Sequence, residues 1–404
     1  MKKLVSYFEA RDLLLSRTKP VETEFVLLEN CSGRILGKDL AATANVPPFD
    51  RSPYDGYAFR SMDSKKAAPE HPVTLRILEE IAAGEISHYD VTEGYAVKVL
   101  TGAPIPRGAD AVTKYELTKF TKESVTIFKP SSSGDNIVRT GEDVKIGDIL
   151  AECGTLIDPG LAGTLASQNI SMPQVYRNPK IGIISTGSEL LEVGEEAKQG
   201  KVYNSNQYML SAALGKMNCI PVILGSVKDS TEEICKLILK GLKECDALLL
   251  TGGVSVGDYD LTPAAMEMAG VEILFQGVDI KPGMACAYGV KDSKLICGLS
   301  GNPASAITNF YAIACPAMKK LCGYKDFLPV EITVRLKDGF KKKSHGTRFL
   351  RGSLELSDGV VRMKIPKEQG NVVLSSTIGC NVMAIVPAGS GSLPADTELK
   401  GFLI

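Results

Sequence analysis

Apolar positions in this chain follow two rhythms. From Tyr7 to Ser16 they recur at helical spacing, which predicts one amphipathic helix. Between Asp50 and Pro130 apolar and polar residues alternate in short runs, Thr74 to Leu78, Tyr95 to Leu100 and Val125 to Phe128, separated by Gly and Pro turns. That pattern predicts a small β domain. Pro47 and Pro48 break any helix ahead of it, and PSSSGDN at 130–136 leads back out. Between Ile137 and Ile170 a G-x-x-L turn, Gly147 to Leu150, precedes a helix with Asp158 as N-cap and Pro159 in first position. If that helix packs on the N-terminal one, the β domain is an insertion in a discontinuous first domain.

After a linker at 171–180 the pattern changes to alternating buried strands and helices, as a doubly wound α/β sheet requires. IGIIS at 181–185 is a strand. Asn204 and Gln207 pair as a cap for a helix carrying Met209, Leu210, Ala213, Leu214 and Met217, and Ser230 with Glu233 forms a capping box before Ile234, Leu237, Ile238 and Leu242. Ala247 to Leu250 is a strand buried on both faces. Thr262 as N-cap and Pro263 open a helix that stops before Gly270. LICGLS at 295–300 is a further strand. Asn302 caps and Pro303 starts a helix through Ile307, Phe310, Tyr311 and Ala314, which Pro316 should kink or shorten. From Val330 onward EITVRL, VVRMKI and VMAIVP alternate as strands of a C-terminal β domain.

Composition narrows the class of protein. The 404 residues are too many for one ordinary core, and 44% hydrophobic with 23% charged residues is a globular balance. A net charge of -1, from 46 basic and 47 acidic residues, gives no global attraction to nucleic acid or an anionic membrane. No apolar run reaches the length of a membrane span, and Glu9 and Asp12 interrupt what a signal peptide would keep uncharged, so a cytoplasmic location is expected. Ten cysteines lack any C-x-x-C pair; Cys235, Cys297 and Cys315 sit in apolar patterns as reduced core residues. His71, His88 and His345 lack metal-ligand spacing, against a His-based zinc site or a Ser-His-Asp triad.

The chemistry concentrates where strands give way to small residues. Ligands of open α/β sheets bind at the carboxyl ends of the strands. Three loops there open helices: Thr186 to Glu189, Thr251 to Gly257 and Ser300 to Ala304. Glycine-rich loops ahead of helices favour anions through unpaired amides and the helix dipole. Such loops suit a nucleotide or other phosphorylated ligand. Neither G-x-G-x-x-G nor G-x-x-x-x-G-K-[ST] is present, so a nicotinamide dinucleotide is disfavoured and a P-loop is excluded. Acidic residues collect at the same loops: Glu189, Asp246, Asp258 and Asp260. They would repel bare phosphate, and a divalent cation between them reconciles the two. The alternative is a tight turn with solvated aspartates. Lys281, in the rigid turn before Pro282 and Gly283, offers a point charge to an oxyanion.

Seven stretches in series resemble one family: PPFDRSPYDGYAF (47–59), TGAPIPRGADAVTKYE (101–116), GEDV (141–144), STGSEL (185–190), TGGVSVGDYD (251–260), IKPG (280–283) and GNPASA (301–306). Together they are similar to the molybdopterin molybdenumtransferase (MoeA) family and to the C-terminal domain of gephyrin. The resemblance implies a multidomain α/β plus β fold: a discontinuous N-terminal α+β domain (1–46 and 137–175), an inserted β domain (47–136), a molybdopterin-binding α/β domain (176–328) and a C-terminal β domain (329–404). It implies a homodimer with a site shared between protomers. The implied reaction takes adenylylated molybdopterin and molybdate, cleaves the pyrophosphate linkage, and yields molybdenum cofactor and AMP. An upstream adenylyltransferase and downstream molybdoenzymes are the implied partners.

Carried across residue by residue, the resemblance assigns catalytic roles to Asp55, Thr101, Asp143, Glu189 and Asp246. Substrate would be held by Thr186, Gly187, Ser188, Gly252, Gly253, Ser255, Gly257, Asp258, Lys281, Gly301, Asn302 and Pro303. Lys281, Arg351 and Ser376 would hold the oxyanion, and Glu189, Asp246 and Asp258 a magnesium ion. Asp55 otherwise only fixes the turn before Gly56, and Thr101 only caps one. Two departures stand in the expected oxyanion pocket: Met284 where the family usually has a second lysine after IKPG, and Ser300 where it usually has proline. The pocket's positive charge is then weaker, or comes from Arg351. Competing readings are the related adenylyltransferase step, which consumes ATP and releases pyrophosphate, and a non-catalytic scaffold like gephyrin's synaptic role.

Overall fold

The structure is a computed structural model, and residues 2–254, 261–357 and 359–404 are described. The chain divides into two compact units, one of Met1–Lys38, Cys153–Ala162 and Met172–Ile404, the other of Asp39–Glu152 and Gly163–Ser171.

The first unit is built on a seven-stranded sheet. Its order is Lys2–Val5, Glu272–Val278, Ala287–Lys291, Lys294–Leu299, Ala247–Thr251, Lys180–Thr186 and Ile220–Val227. The last four run parallel; Ala287–Lys291 is antiparallel to both its neighbours. Ala247–Thr251 lies at the centre with every residue buried. Alternate side chains feed two cores. Leu249, Ile183 and Cys297 face the helices Tyr7–Ser16, Ser205–Gly215 and the one beginning at Pro303, whereas Leu248, Leu250 and Ile296 face Thr231–Glu244 and Leu261–Met268. Each of these fully buried leucines contributes about 2 kcal/mol of apolar transfer free energy.

Several expectations are modified here. The N-terminal helix spans Tyr7–Ser16 as the spacing predicts, but Tyr7, Ala10 and Leu14 pack into the α/β core, not on the helix Pro159–Ser167. Part of the stretch read as a linker, Gln174–Tyr176, pairs antiparallel with Thr23–Phe25. Thr262 lies inside its helix, not at the cap, because its hydroxyl donates to Gly252 O at 2.9 Å and its N–H to Gly253 O at 3.0 Å. The last helix is interrupted ahead of Pro316, in line with the expected kink or shortening: a π-helical stretch, Phe310–Ala314, separates Pro303–Asn309 from Cys315–Leu321. A wider turn relieves the clash and missing donor that proline brings to an α-helix.

The C-terminal strands close into a barrel, ordered Glu331–Leu336, Val360–Lys364, Arg348–Ser357, Val382–Val386 and Glu398–Leu403, around Leu336, Leu350, Met363, Val382 and Ala384. Arg348–Ser357 meets the α/β part of the unit through the loop residue Lys281, which bridges Arg348, and through the N-terminal helix, where Tyr7 stands with its ring 5.2 Å from that of Phe349. Cys235, Cys297 and Cys315 are buried and in no disulfide.

In the second unit the expected short strands form one six-stranded sheet, ordered Ala111–Lys114, Gly56–Phe59, Tyr95–Val99, Val73–Ile81, Ser124–Ile127 and Thr118–Phe120. Both faces are covered: Tyr57, Phe59 and Leu75 belong to one core, Ala58, Val97 and Val112 to the other.

Candidate functional site

Three parallel strands end side by side, with Ser185 level with Thr251 and Thr251 with Leu299. Their loops converge on a cleft of about 870 Å³, whose lining includes Thr186, Gly187, Glu189, Gly252, Gly253, Gly301, Asn302 and Pro303. Glycine is required at Gly252 on two counts. Its φ is +100°, and a Cβ there would stand 2.3 Å from Thr186 O. Without a side chain there, the loops after Lys180–Thr186 and Ala247–Thr251 pack backbone against backbone.

Not all amides at this end are available. At the start of the helix Pro303–Asn309 the proline has none, Asn302 N–H donates to Ser300 Oγ at 3.2 Å and Ala304 N–H to Asn371 O at 3.1 Å. Gly252 N–H donates to Leu299 O and Gly187 N–H to Val227 O. Among the described residues, Gly253 and Gly301 keep N–H groups without a partner, and both line the cleft. The charged side chains of the described lining are Glu189 and Asp229, and no Lys, Arg or His joins them. Asp229 was not anticipated. It accepts from Ser188 N at 3.2 Å and Ser188 Oγ at 2.9 Å, which fixes the loop that carries Glu189. Ser255, Gly257, Asp258 and Asp260 lie outside the described residues.

Asp246 is not at this site, which corrects the expectation for it. It precedes the strand Ala247–Thr251, whereas the glycine loop follows it, and an intervening strand of this length sets them roughly 20 Å apart. Its carboxylate is gripped by Arg177 through two 2.7 Å bonds and by Lys180 N at 2.8 Å. Burial is the largest single influence and opposes ionisation, but Arg177 and the Lys180 N–H together outweigh it and hold the carboxyl below the usual range. This is a structural clamp tying the 177–180 segment to the sheet, and it removes Asp246 from the magnesium set.

Arg351 and Ser376 do come together. Arg351 is 1% exposed and donates to Ser376 Oγ at 3.0 Å and Thr308 Oγ1 at 3.3 Å, with its Nε unpartnered. Gln369 brackets its main chain. Neither residue lines the large cleft; Arg351 faces a smaller one of about 300 Å³ with Lys216, Thr377 and Cys380. Thr308 belongs to the helix that begins at the large cleft. Lys281 is exposed, its main chain joined to Thr347 and Phe349 of the barrel side, and it is outside the lining, whereas Met284 and Ser300 are within it.

In the second unit, Asp55 Oδ1 accepts from Thr101 N at 2.7 Å and Thr101 Oγ1 at 2.8 Å. These two donors hold the Asp55 carboxyl below its ordinary range. Asp143 engages its neighbours through the main chain, N–H to Val46 O at 3.0 Å.

Comparison with known proteins places these features. Residues 5–168 match the family model described as the MoeA N-terminal region (domain I and II), and residues 182–320 match a probable molybdopterin binding domain. The molybdopterin molybdenumtransferase of Staphylococcus aureus (strain Mu50 / ATCC 700699) is 35% identical over 390 residues, 96% of this chain and 92% of its own. The chain belongs to the molybdopterin molybdenumtransferase family. The Bacillus subtilis (strain 168) molybdopterin molybdenumtransferase is 34% identical over 96% of this chain and 91% of its own. The crystal structure of a molybdopterin biosynthesis moeA protein from Pyrococcus horikoshii OT3 superposes with a TM-score of 0.85 at 32% identity, covering 99% of this chain and 100% of that one. The multidomain α/β plus β architecture is thus that of the molybdopterin molybdenumtransferases. Within this MoeA-family chain, the loops at 186–189, 252–253 and 301–303 fall in the segment matching the molybdopterin binding domain, and Asp55, Thr101 and Asp143 in the N-terminal match.

Proposed function

We propose that this chain is a transferase that inserts molybdenum from molybdate into adenylylated molybdopterin, cleaving the pyrophosphate linkage to give molybdenum cofactor and AMP. The observation that carries the reading is the cleft at the strand ends, where unpartnered amides of Gly253 and Gly301 stand in the same lining as Glu189 and Asp229. The amides take phosphate oxygens directly. The carboxylates would repel them unless a cation intervenes. Magnesium is commonly held by one or two carboxylates plus substrate phosphates, and Glu189 with Asp229 is such a donor set. Bound there, magnesium supplies neutralisation of charge developing at the scissile linkage.

Arg351, Ser376 and Lys281 present molybdate in this reading. A buried guanidinium with hydroxyls on two sides and no carboxylate partner among the described residues is complementary to a tetrahedral oxyanion. Glu189 and Asp229 orient the pyrophosphate, and Ser188 keeps Asp229 from drifting out of the lining. The protein acts as a homodimer, which native mass measurement tests. The decisive experiment is AMP release from adenylylated molybdopterin with molybdate and tungstate compared and magnesium varied. Release that depends on the oxyanion and on magnesium is expected; release indifferent to both would sink the proposal.

A further inference from the structure

Two asparagines flank the start of the helix Ser205–Gly215, and they differ in what they leave open. Asn204 is fully engaged: Oδ1 accepts from Gln207 N and Ser185 Oγ at 3.3 Å each, and Nδ2 donates to Ser226 Oγ at 3.1 Å and Gln207 Oε1 at 3.3 Å. Asn206 is not. Its Nδ2 donates to Gly301 O at 2.8 Å, while Oδ1 is buried without a partner. Asn206 is only 8% exposed and belongs to the cleft lining. The carbonyl of Gly301 fixes which way the amide faces, because a flipped group would set two acceptors against each other. An acceptor held in a set direction at a ligand cleft, and desolvated without compensation, is complementary to a hydrogen-bond donor that arrives with the ligand.

We infer that Asn206 is a specificity-determining residue that accepts a hydrogen bond from an N–H or O–H of the bound substrate, a claim that rests on the reading of the cleft given above. Ionised phosphate has no such donor, so Asn206 would read the organic part of the substrate while Gly253 and Gly301 amides take the anionic part. Donors of this class occur on both halves of adenylylated molybdopterin, as the pterin N–H and amino groups and as the adenosine hydroxyls and amino group. Through the Nδ2 bond the same side chain couples that recognition to the position of the Gly301 loop.

The test measures dissociation constants of AMP, molybdopterin and inorganic pyrophosphate for the wild-type protein and for Asn206→Ala, with magnesium fixed and thermal melting as the fold control. The expected result is about tenfold weaker binding of AMP or of molybdopterin, with pyrophosphate changed less than about twofold. Loss confined to AMP assigns the bond to the nucleotide half; loss confined to molybdopterin assigns it to the pterin half. Equal weakening of all three, pyrophosphate included, would mean that Asn206 only props the Gly301 loop and would overturn the inference, as would no change in any. Wild-type protein that binds neither AMP nor molybdopterin would instead refute the functional reading itself.

Discussion

Arg351 donates to Ser376 Oγ at 3.0 Å, and no carboxylate among the described residues pairs with it. Burial depresses the guanidinium's pKa without approaching neutrality at ordinary pH. A buried charge without a counter-charge weakens a fold, so something other than stability accounts for it. Arg351→Met, which fills similar space without charge, is expected to melt at the same temperature or higher. Molybdate-dependent AMP release should fall about a hundredfold. A clear drop in melting temperature would show that the cation is structural.

Asp246 is expected to behave in the opposite way. Asp246→Asn leaves half-buried Arg177 with only the exposed Glu22 as its charge partner and should lower stability by about 2 kcal/mol at neutral pH, while AMP release per folded molecule stays within about twofold. The sign of the pH dependence follows from the lowered carboxyl pKa. The stabilisation is complete above the unfolded value of about 3.9 and is lost as pH falls through the folded one. Denaturation curves of wild type and variant should therefore converge in acid.

For Glu189 and Asp229, both exposed, fold effects should be small. Glu189→Gln and Asp229→Asn are expected to raise the magnesium concentration for half-maximal AMP release about tenfold, one lost carboxylate ligand each. Unaltered magnesium titrations with lowered maximal rate would remove them from the metal and leave only a positioning role.

Asp55 shares a clasp geometry with two other aspartates of its unit: Asp50 accepts from Thr140 N and Oγ1, and Asp110 from Ser61 N and Oγ. Asp50 also has Arg139 at 2.7 Å, whereas Asp55 has no ion pair among the described residues. Its second oxygen is left for another partner. If that carboxylate must be ionised for turnover, the acid limb of the rate profile lies below the ordinary carboxylate range. Thr101→Val removes the hydroxyl donor and should move that limb upward. An unmoved profile would mean that Asp55 does not titrate in the reaction.

What could be read from residues alone was decided by local chemistry. The helix Tyr7–Ser16, the Ser230 cap and the buried strand at 247 depend on spacing and short-range bonds, and the structure has all three. For Asp246, adjacency in sequence overstates adjacency in space, since a strand separates it from the glycine loop. Asp229 gives a weaker signal because Pro221 and Gly225 interrupt the strand Ile220–Val227, whose end makes Asp229 a strand-end residue like Glu189. Arg348–Ser357 and Glu398–Leu403 were missed for a related reason. Their alternation is broken by Arg351, Gly352 and Gly401, and barrel closure, a long-range property, keeps them in place. The free acceptor of Asn206 left no sequence signal, since Asn204 two residues away has the same side chain and no vacancy.

The strand Lys2–Val5 lies parallel to Phe275–Val278, so it leaves the ribosome about 270 residues ahead of its sheet neighbour. Until then Val5, Tyr7 and Leu14 lack the part of their core that Phe275 and Val278 supply. Nascent chains must hold this sticky segment in waiting while the residues between are made, which makes it a stretch where a holding chaperone would bind and where slow elongation would raise the risk of aggregation.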